Sequence, residues 1–277
     1  MPDQKTVRVG AVQMICRDND PDANVAAALA YCDRAARRGV EILCFPECAT
    51  TGFDWLKQPD GPSRVHAEPV PGPTVERFAA KARQIGVYII MGIVERVDGG
   101  LCNTAFVVGP EEGYMGRQRK VLAEAVFVPG TEANVFDTAP ARIGIFICAD
   151  MRSPELSRLL VLKGAQVLFQ PTAYFHADGG DIRRRYMGKC CAQRARAMEN
   201  VVHVVAANIG RPEYVNNSRI IAPEQQGPEV ALARATRREQ LLVADVTFDP
   251  DANPVRDVMA RSPELFAEYA RQLQESG

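Results

Sequence analysis

The chain predicts a layered α/β fold with mixed sheets covered by helices, and three observations lead there. The first third alternates strand-like and helix-like runs, the turn Asp98, Gly99, Gly100 joins two β-like runs as a hairpin, and a second alternation later passes into several strand-like runs. The alternations imply a layered α/β fold and the hairpin argues against a purely parallel sheet.

In order, Val7 to Ile15 reads as a strand and Ala23 to Arg38 as a helix, with Pro21 and Asn24 near its start and Gly39 after its end. Ile42 to Pro46 is a short buried strand, Thr74 to Ile85 a helix and Val87 to Glu95 a strand. The hairpin pairs Tyr88 to Val97 with Leu101 to Val108. Ile143 to Ile147 is apolar and partly β-branched, as a buried strand should be, and Pro154 sets φ for the first turn of a helix running to about Gly164. Gln166 to Pro171, Ile182 to Asn200 and Val201 to Asn208 continue as strand, helix and strand. Strand-like runs follow at Arg219 to Ala222, Val230 to Ala235 and Leu241 to Val246. No long linker, low-complexity tract or charge block divides the chain, so residues 1–277 are expected to form one domain. The Pro- and Gly-rich stretch Gln58 to Pro73 reads as a functional loop within a strand-helix connection.

Hydrophobic residues make up 47% and charged residues 24%, values that argue for a packed globule over disorder. A net charge of -1 supplies no global attraction to nucleic acid or an anionic membrane. The N-terminal MPDQKTVRVG leads directly into a strand without an apolar signal segment, and a cytoplasmic protein with reduced thiols is expected. Among the eight cysteines no pair has CxxC spacing, and with three histidines there is no HExxH. Cys190 and Cys191 sit side by side in a helix, where neighbours point in different directions. Neither GxGxxG nor GxxxxGK occurs, so no metal and no dissociable cofactor are expected.

Cys148 lies where the strand Ile143 to Ile147 hands over to the helix beginning at Pro154. On such a turn a side chain projects from the sheet edge toward helix-start amides, which stabilise a thiolate or a neighbouring oxyanion. The competing reading is a buried thiol that fills space. A nucleophilic cysteine needs a base and a group that stabilises developing charge. His176 follows the strand Gln166 to Pro171 and is one candidate base. Glu47 is another, because Pro46 stops a buried strand and delivers it to the sheet edge among Phe45 and Phe53. Lys120 ends the basic cluster of Tyr114 to Gly130, a stretch that otherwise reads as a solvated loop satisfied by Arg117 and Arg119.

A strand-end FPE, a later RK followed by Glu and PG, and a strand-end ICAD with PE beyond it are together far more specific than any one alone. This order resembles the carbon-nitrogen hydrolase (nitrilase) superfamily, from VRVGAVQM at Val7 to Met14 through RAMENVVHVVAAN at Arg196 to Asn208. The resemblance implies a four-layer αββα sandwich, pairing into a homodimer or larger homo-oligomer, and a catalytic glutamate, lysine and cysteine at Glu47, Lys120 and Cys148. Glu124 resembles the family's second active-site glutamate. The family often has histidine and leucine soon after the lysine, where this chain has Val121, Leu122 and Ala123, and Ala149 replaces the frequent aromatic or asparagine after the cysteine.

The chemistry so implied is attack by Cys148 on the carbonyl of a small-molecule amide or N-carbamoyl compound, with Glu47 as base and Lys120 and the Ala149 N–H holding the oxyanion. Arg152 resembles an arginine that meets a substrate carboxylate in some members, and as a residue it can equally pair with Asp150 or Glu155. Phe53, Trp55, Tyr174 and Phe175 follow edge-directed strands and either wall a pocket or belong to the core. A nitrile substrate, acyl transfer to an amine and a catalytically silent scaffold remain the alternatives.

Overall fold

Alternation along the first strand sets the layering. In β1 (Lys5–Gln13) the side chains of Val7, Val9 and Ala11 share one face and enter a core between two sheets, whereas Val12 turns to a second core outside them. The computed structural model describes residues 4–58, 60–61, 65–174, 182–212, 214–215, 217–223 and 231–275.

The first sheet orders its six strands as β12 (Gln240–Phe248), β1, β2 (Ile42–Cys44), β3 (Tyr88–Val97), β4 (Gly100–Gly109) and β5 (Gly113–Arg119). Its three middle pairings are β1–β2 and β2–β3, both parallel, and β3–β4, antiparallel. The second sheet orders β11 (Ala231–Arg234), β10 (Arg219–Ile221), β9 (His203–Asn208), β8 (Val167–Thr172), β7 (Arg142–Ile145) and β6 (Val135–Asp137). There β7, β8 and β9 run parallel. Two mixed sheets therefore face each other across a layer that includes Ile42, Ile90, Ile145 and Phe169, all fully buried. Each such side chain contributes roughly 2 kcal/mol by leaving water.

Helices α1 (Pro21–Ala36) and α2 (Pro73–Ile85) cover the first sheet, packing Val25, Ala28, Val75 and Phe78 against Leu43, Ile89 and Phe106. Helices α3 (Pro154–Leu162) and α4 (Ile182–Asn200) flank the second, with Leu156, Leu160 and Ala197 in its core. The result is the four-layer αββα sandwich. The hairpin forms as expected: Val97 faces Gly100 across Asp98 and Gly99, and Gly99 takes φ 84°, the left-handed region that favours glycine.

The structure corrects the sequence reading in three places. Tyr114 to Arg119 is no solvated loop but lies in strand β5, where Arg117 and Arg119 reach across to the buried carboxylate of Glu95. Charged side chains on one face of the strand hid its alternation. Strand β6 is short enough to escape a periodicity test. Two further helices, α5 (Pro254–Ala260) and α6 (Pro263–Glu275), follow the last strand, where no element had been assigned.

Candidate active site

Three loops at the carboxyl ends of β2, β5 and β7 converge. After β2, Phe45 N–H still bonds to Ile90 O, but Pro46 has no N–H to continue the ladder. The chain turns, Glu47 N–H bonds to Thr172 O of the opposite sheet at 3.3 Å, and Cys48 adopts φ 47°. Gly92 on β3 makes the turn possible. A Cβ there would stand 2.2 Å from Pro46 O and 2.9 Å from Glu47 Cα. Glu47 is fully buried, and its Oε1 accepts from Lys120 Nζ and Asn103 Nδ2, each at 2.7 Å. Its Oε2 is buried with no hydrogen-bond partner among the described residues, an arrangement that usually has a reason beyond stability.

Lys120 leaves β5 with its N–H bonded to Asn103 O at 2.8 Å, so Asn103 holds the backbone of one charged residue and the carboxylate of the other. The Lys120 ammonium is fully buried and bridges Glu47 to Glu124, whose Oε1 and Oε2 lie at 2.7 and 3.0 Å. Burial alone pushes Lys120 down, but Glu47, Cys148 and Glu124 together outweigh it and hold the ammonium above the usual lysine range. A buried cluster of this kind is a poor device for stability, since desolvation consumes much of the attraction.

Cys148 begins a single 3-10 turn, Cys148–Arg152, and itself takes φ 46°. A non-glycine residue there costs roughly 1 kcal/mol and persists only when its surroundings enforce it. They do. Asp150, buried, accepts from Ile147 N–H at 2.8 Å through Oδ2 and from Val121 and Leu122 N–H at 3.1 and 2.7 Å through Oδ1. One carboxylate thus ties the Cys148 turn to the segment after Lys120. From below, Gln170 Nε2 and the Tyr174 hydroxyl both donate to Cys148 O, at 3.1 and 3.3 Å, and Gln193 Nε2 donates to Gln170.

Burial pushes the Cys148 thiol up, Glu47 pushes it further, and Lys120, Lys189 and the Ala173 N–H pull the other way without prevailing. The thiol is thus harder to ionise than an ordinary cysteine. A thiol in this state attacks only as its proton leaves. The site offers a buried carboxylate with a spare oxygen, and a fixed ammonium beside it.

The remaining candidates divide. Ala149 follows Cys148 in the 3-10 turn and is half-buried. Phe53 lies 5.8 Å from Lys120 Nζ, measured to the ring centroid, and borders the cluster. Trp55 is buried, donates Nε1–H to Gly52 O at 3.1 Å and packs edge-on against Phe127 in the core. Tyr174 lies beneath the Cys148 turn, its hydroxyl being used by Gln170, Met151 and Cys148. Arg152 is exposed and forms no ion pair among the described residues: Asp150 is occupied as above, and Glu155 accepts from Ser153 and Tyr269. Phe175 and His176 lie outside the described residues. Asn103 was not singled out from sequence, although an asparagine inside the apolar run LCNTAFVV was a usable signal. Among the described residues no group of His, Cys, Asp and Glu is placed to hold a metal ion, and the described cysteines are free thiols.

A profile of the carbon-nitrogen hydrolases matches residues 8–250. The omega-amidase NIT2 of Xenopus tropicalis is 30% identical over 245 residues, 82% of this chain and 83% of that protein. A nitrilase of Pyrococcus abyssi is 30% identical over 250 residues, 87% and 89% of the two chains. Among solved structures, a glutamate-to-glutamine mutant of the amidase from Nesterenkonia sp. AN1, seen with acrylamide added to its active site cysteine, superposes with a TM-score of 0.75 at 22% identity, covering 95% of this chain and 99% of that one. Nit3 of Saccharomyces cerevisiae, a member of the nitrilase superfamily, gives 0.74 at 20% identity over 94% and 95%. Since the profile takes in nearly all of both sheets and relatives match over more than four-fifths of the chain, the protein belongs to the carbon-nitrogen hydrolase family and is a hydrolase of carbon–nitrogen bonds.

Proposed function

We propose that the protein hydrolyses a small linear amide through a thioester on Cys148. The observation that carries this reading is the buried Oε2 of Glu47, without a hydrogen-bond partner among the described residues while Oε1 is held by Lys120 and Asn103. Sγ of Cys148 forms a bond to the substrate carbonyl carbon as Glu47 takes the thiol proton, and the carbonyl π electrons move to oxygen. Lys120 Nζ and the Ala149 N–H receive that oxyanion. Glu47 returns the proton to the nitrogen, the C–N bond breaks and ammonia leaves. Water then adds to the thioester while Glu47 accepts its proton; the C–S bond breaks, the acid departs and the thiol is restored. Glu124 keeps Lys120 in place from the solvent side.

Arg152 supports a substrate with a carboxylate, because its guanidinium is exposed beside Cys148 and neither nearby acid engages it. The omega-amidase relatives support an amide, and the cysteine adduct of the Nesterenkonia amidase supports a nucleophilic cysteine. The test is product analysis with monoamides of dicarboxylic acids, N-carbamoyl amino acids and nitriles, with Cys148→Ala as control. Ammonia and the free acid from an amide are expected. Ammonia with carbon dioxide marks a carbamoyl substrate, acid from a nitrile marks a nitrilase, and no product in the absence of an amine acceptor marks a transferase. Turnover by Cys148→Ala contradicts the mechanism.

A further inference from the structure

Two cations flank the Cys148 turn, and neither forms an ion pair among the described residues. Arg152 closes the 3-10 turn that Cys148 opens, exposed, with Nε 3.4 Å from Ala149 O. Lys189, half-buried on α4, holds its Nζ 3.7 Å from the centroid of the Tyr174 ring, and the hydroxyl of that ring donates to Cys148 O at 3.3 Å. The ring therefore acts as a platform that sets the Lys189 ammonium beside the elbow. A cation–π contact occupies one side of an ammonium and leaves its N–H donors available to an anion.

Burial pushes Lys189 below the usual lysine range; Cys148 and Glu47 resist, and Arg152 and Lys120 push it down further. Lys189, Arg152 and Lys120 are thus close enough to repel one another. Glu47 and Glu124 serve Lys120, which leaves the outer two cations without a carboxylate among the described residues. Crowding like charges at a partly buried site is unfavourable until an anion arrives between them.

We infer that Lys189 and Arg152 form a two-point anchor for a carboxylate on the acyl part of the substrate, and that Lys189 is the specificity-determining residue that favours anionic over neutral acyl groups. The inference rests on Cys148 being the nucleophile. A guanidinium fixes a carboxylate by its fork and an ammonium adds a point charge, so the pair orients the acyl chain as well as attracting it.

The experiment compares rates of alkylation of Cys148 by iodoacetate and by iodoacetamide, followed by peptide mapping. In both reactions sulfur displaces iodide from the same carbon, and the reagents differ in the carboxylate alone. The iodoacetate-to-iodoacetamide ratio in the native protein is expected to exceed that of N-acetylcysteine. Lys189→Met is expected to lower the ratio about tenfold, the iodoacetate rate falling much further than the iodoacetamide rate, and Lys189→Arg to preserve it. An unchanged ratio in Lys189→Met overturns the anchor. So does a parallel fall of both rates, which would assign Lys189 to thiol reactivity. If the native protein takes up neither reagent at Cys148, the nucleophile reading fails and the anchor with it. A measurement on the unaltered protein guards against a variant that fails to fold: succinate must protect Cys148 from iodoacetamide at a lower concentration than uncharged 1,4-butanediol, and equal protection overturns the inference.

Discussion

Glu47 has one oxygen held twice and one held by nothing described, and Asn103 decides which is which. Asn103→Ala removes a neutral donor and leaves the Lys120 contact, so the Glu47 side chain should swing. Amide turnover is expected to fall about tenfold in kcat with little change in KM, because positioning is lost and ground-state binding is not. Steady-state kinetics checks this, and a fall confined to KM would place Asn103 in substrate binding. Cys148 and Glu47 were legible in the sequence because prolines bracket their turns: Pro46 ends a strand and Pro154 begins a helix. Lys120 was legible only in company with them. Asn103 was not, since its partner is Glu47, on another strand and 56 residues away, and the pattern of a strand says which face a residue takes but not what it meets there. Lys189 was hidden differently: the basic run before it reads as a solvated helix face. Trp55 could be read two ways, because an aromatic residue after a strand looks the same whether it lines a pocket or closes a core.

Among elements, the Cys148 turn and the segment after Lys120 share one tie, Asp150. Asp150→Ala leaves the buried Ile147 N–H without its acceptor and frees the two amides that follow Lys120. A loss of roughly 3 kcal/mol in unfolding free energy is expected, with a fall in kcat from the loosened turn. Denaturant unfolding beside kinetics separates the two effects. Gly92→Ala attacks the Glu47 turn from β3: its Cβ collides with backbone at Pro46, Glu47 and Cys48. Backbone there must move, so activity is expected to be lost in a protein whose sheet signal by circular dichroism stays near native. Full activity in Gly92→Ala would contradict the close approach of the two strands. These ties explain why the order of elements could be read in advance while their joinery could not. Alternation, hairpin and helix stops are local signals, whereas β5 is recognised only once Glu95 is seen opposite its arginines.

For the whole molecule, two buried groups bear on the response to acid in opposite senses. Burial lowers His203, at the head of β9, from 6.5 to about 4, so between those values the unfolded chain binds the proton that the folded chain refuses. Stability is therefore lost as pH falls through that window, by roughly 3 kcal/mol from this residue. Burial raises Asp150 to about 6, against its backbone hydrogen bonds, so it acts in the opposite sense and gains stability as pH falls from there. Because the two shifts nearly offset, His203→Gln is expected to make stability rise more steeply than in the native protein as pH falls from about 6 to 4. Unfolding free energies measured across that range check it, and an unchanged slope would mean His203 is accessible to protons in the fold. The assembled site depends on both sheets at once, since β2 and β5 in the first carry Glu47 and Lys120 and β7 in the second carries Cys148. The most direct test of that assembly is rapid-quench mass spectrometry of the protein mixed with a dicarboxylic acid monoamide. An acyl adduct confined to the Cys148 peptide, formed with release of ammonia and absent in Cys148→Ala and Glu47→Gln, is the expected result. An adduct on another cysteine, or undiminished acylation in Glu47→Gln, would contradict it.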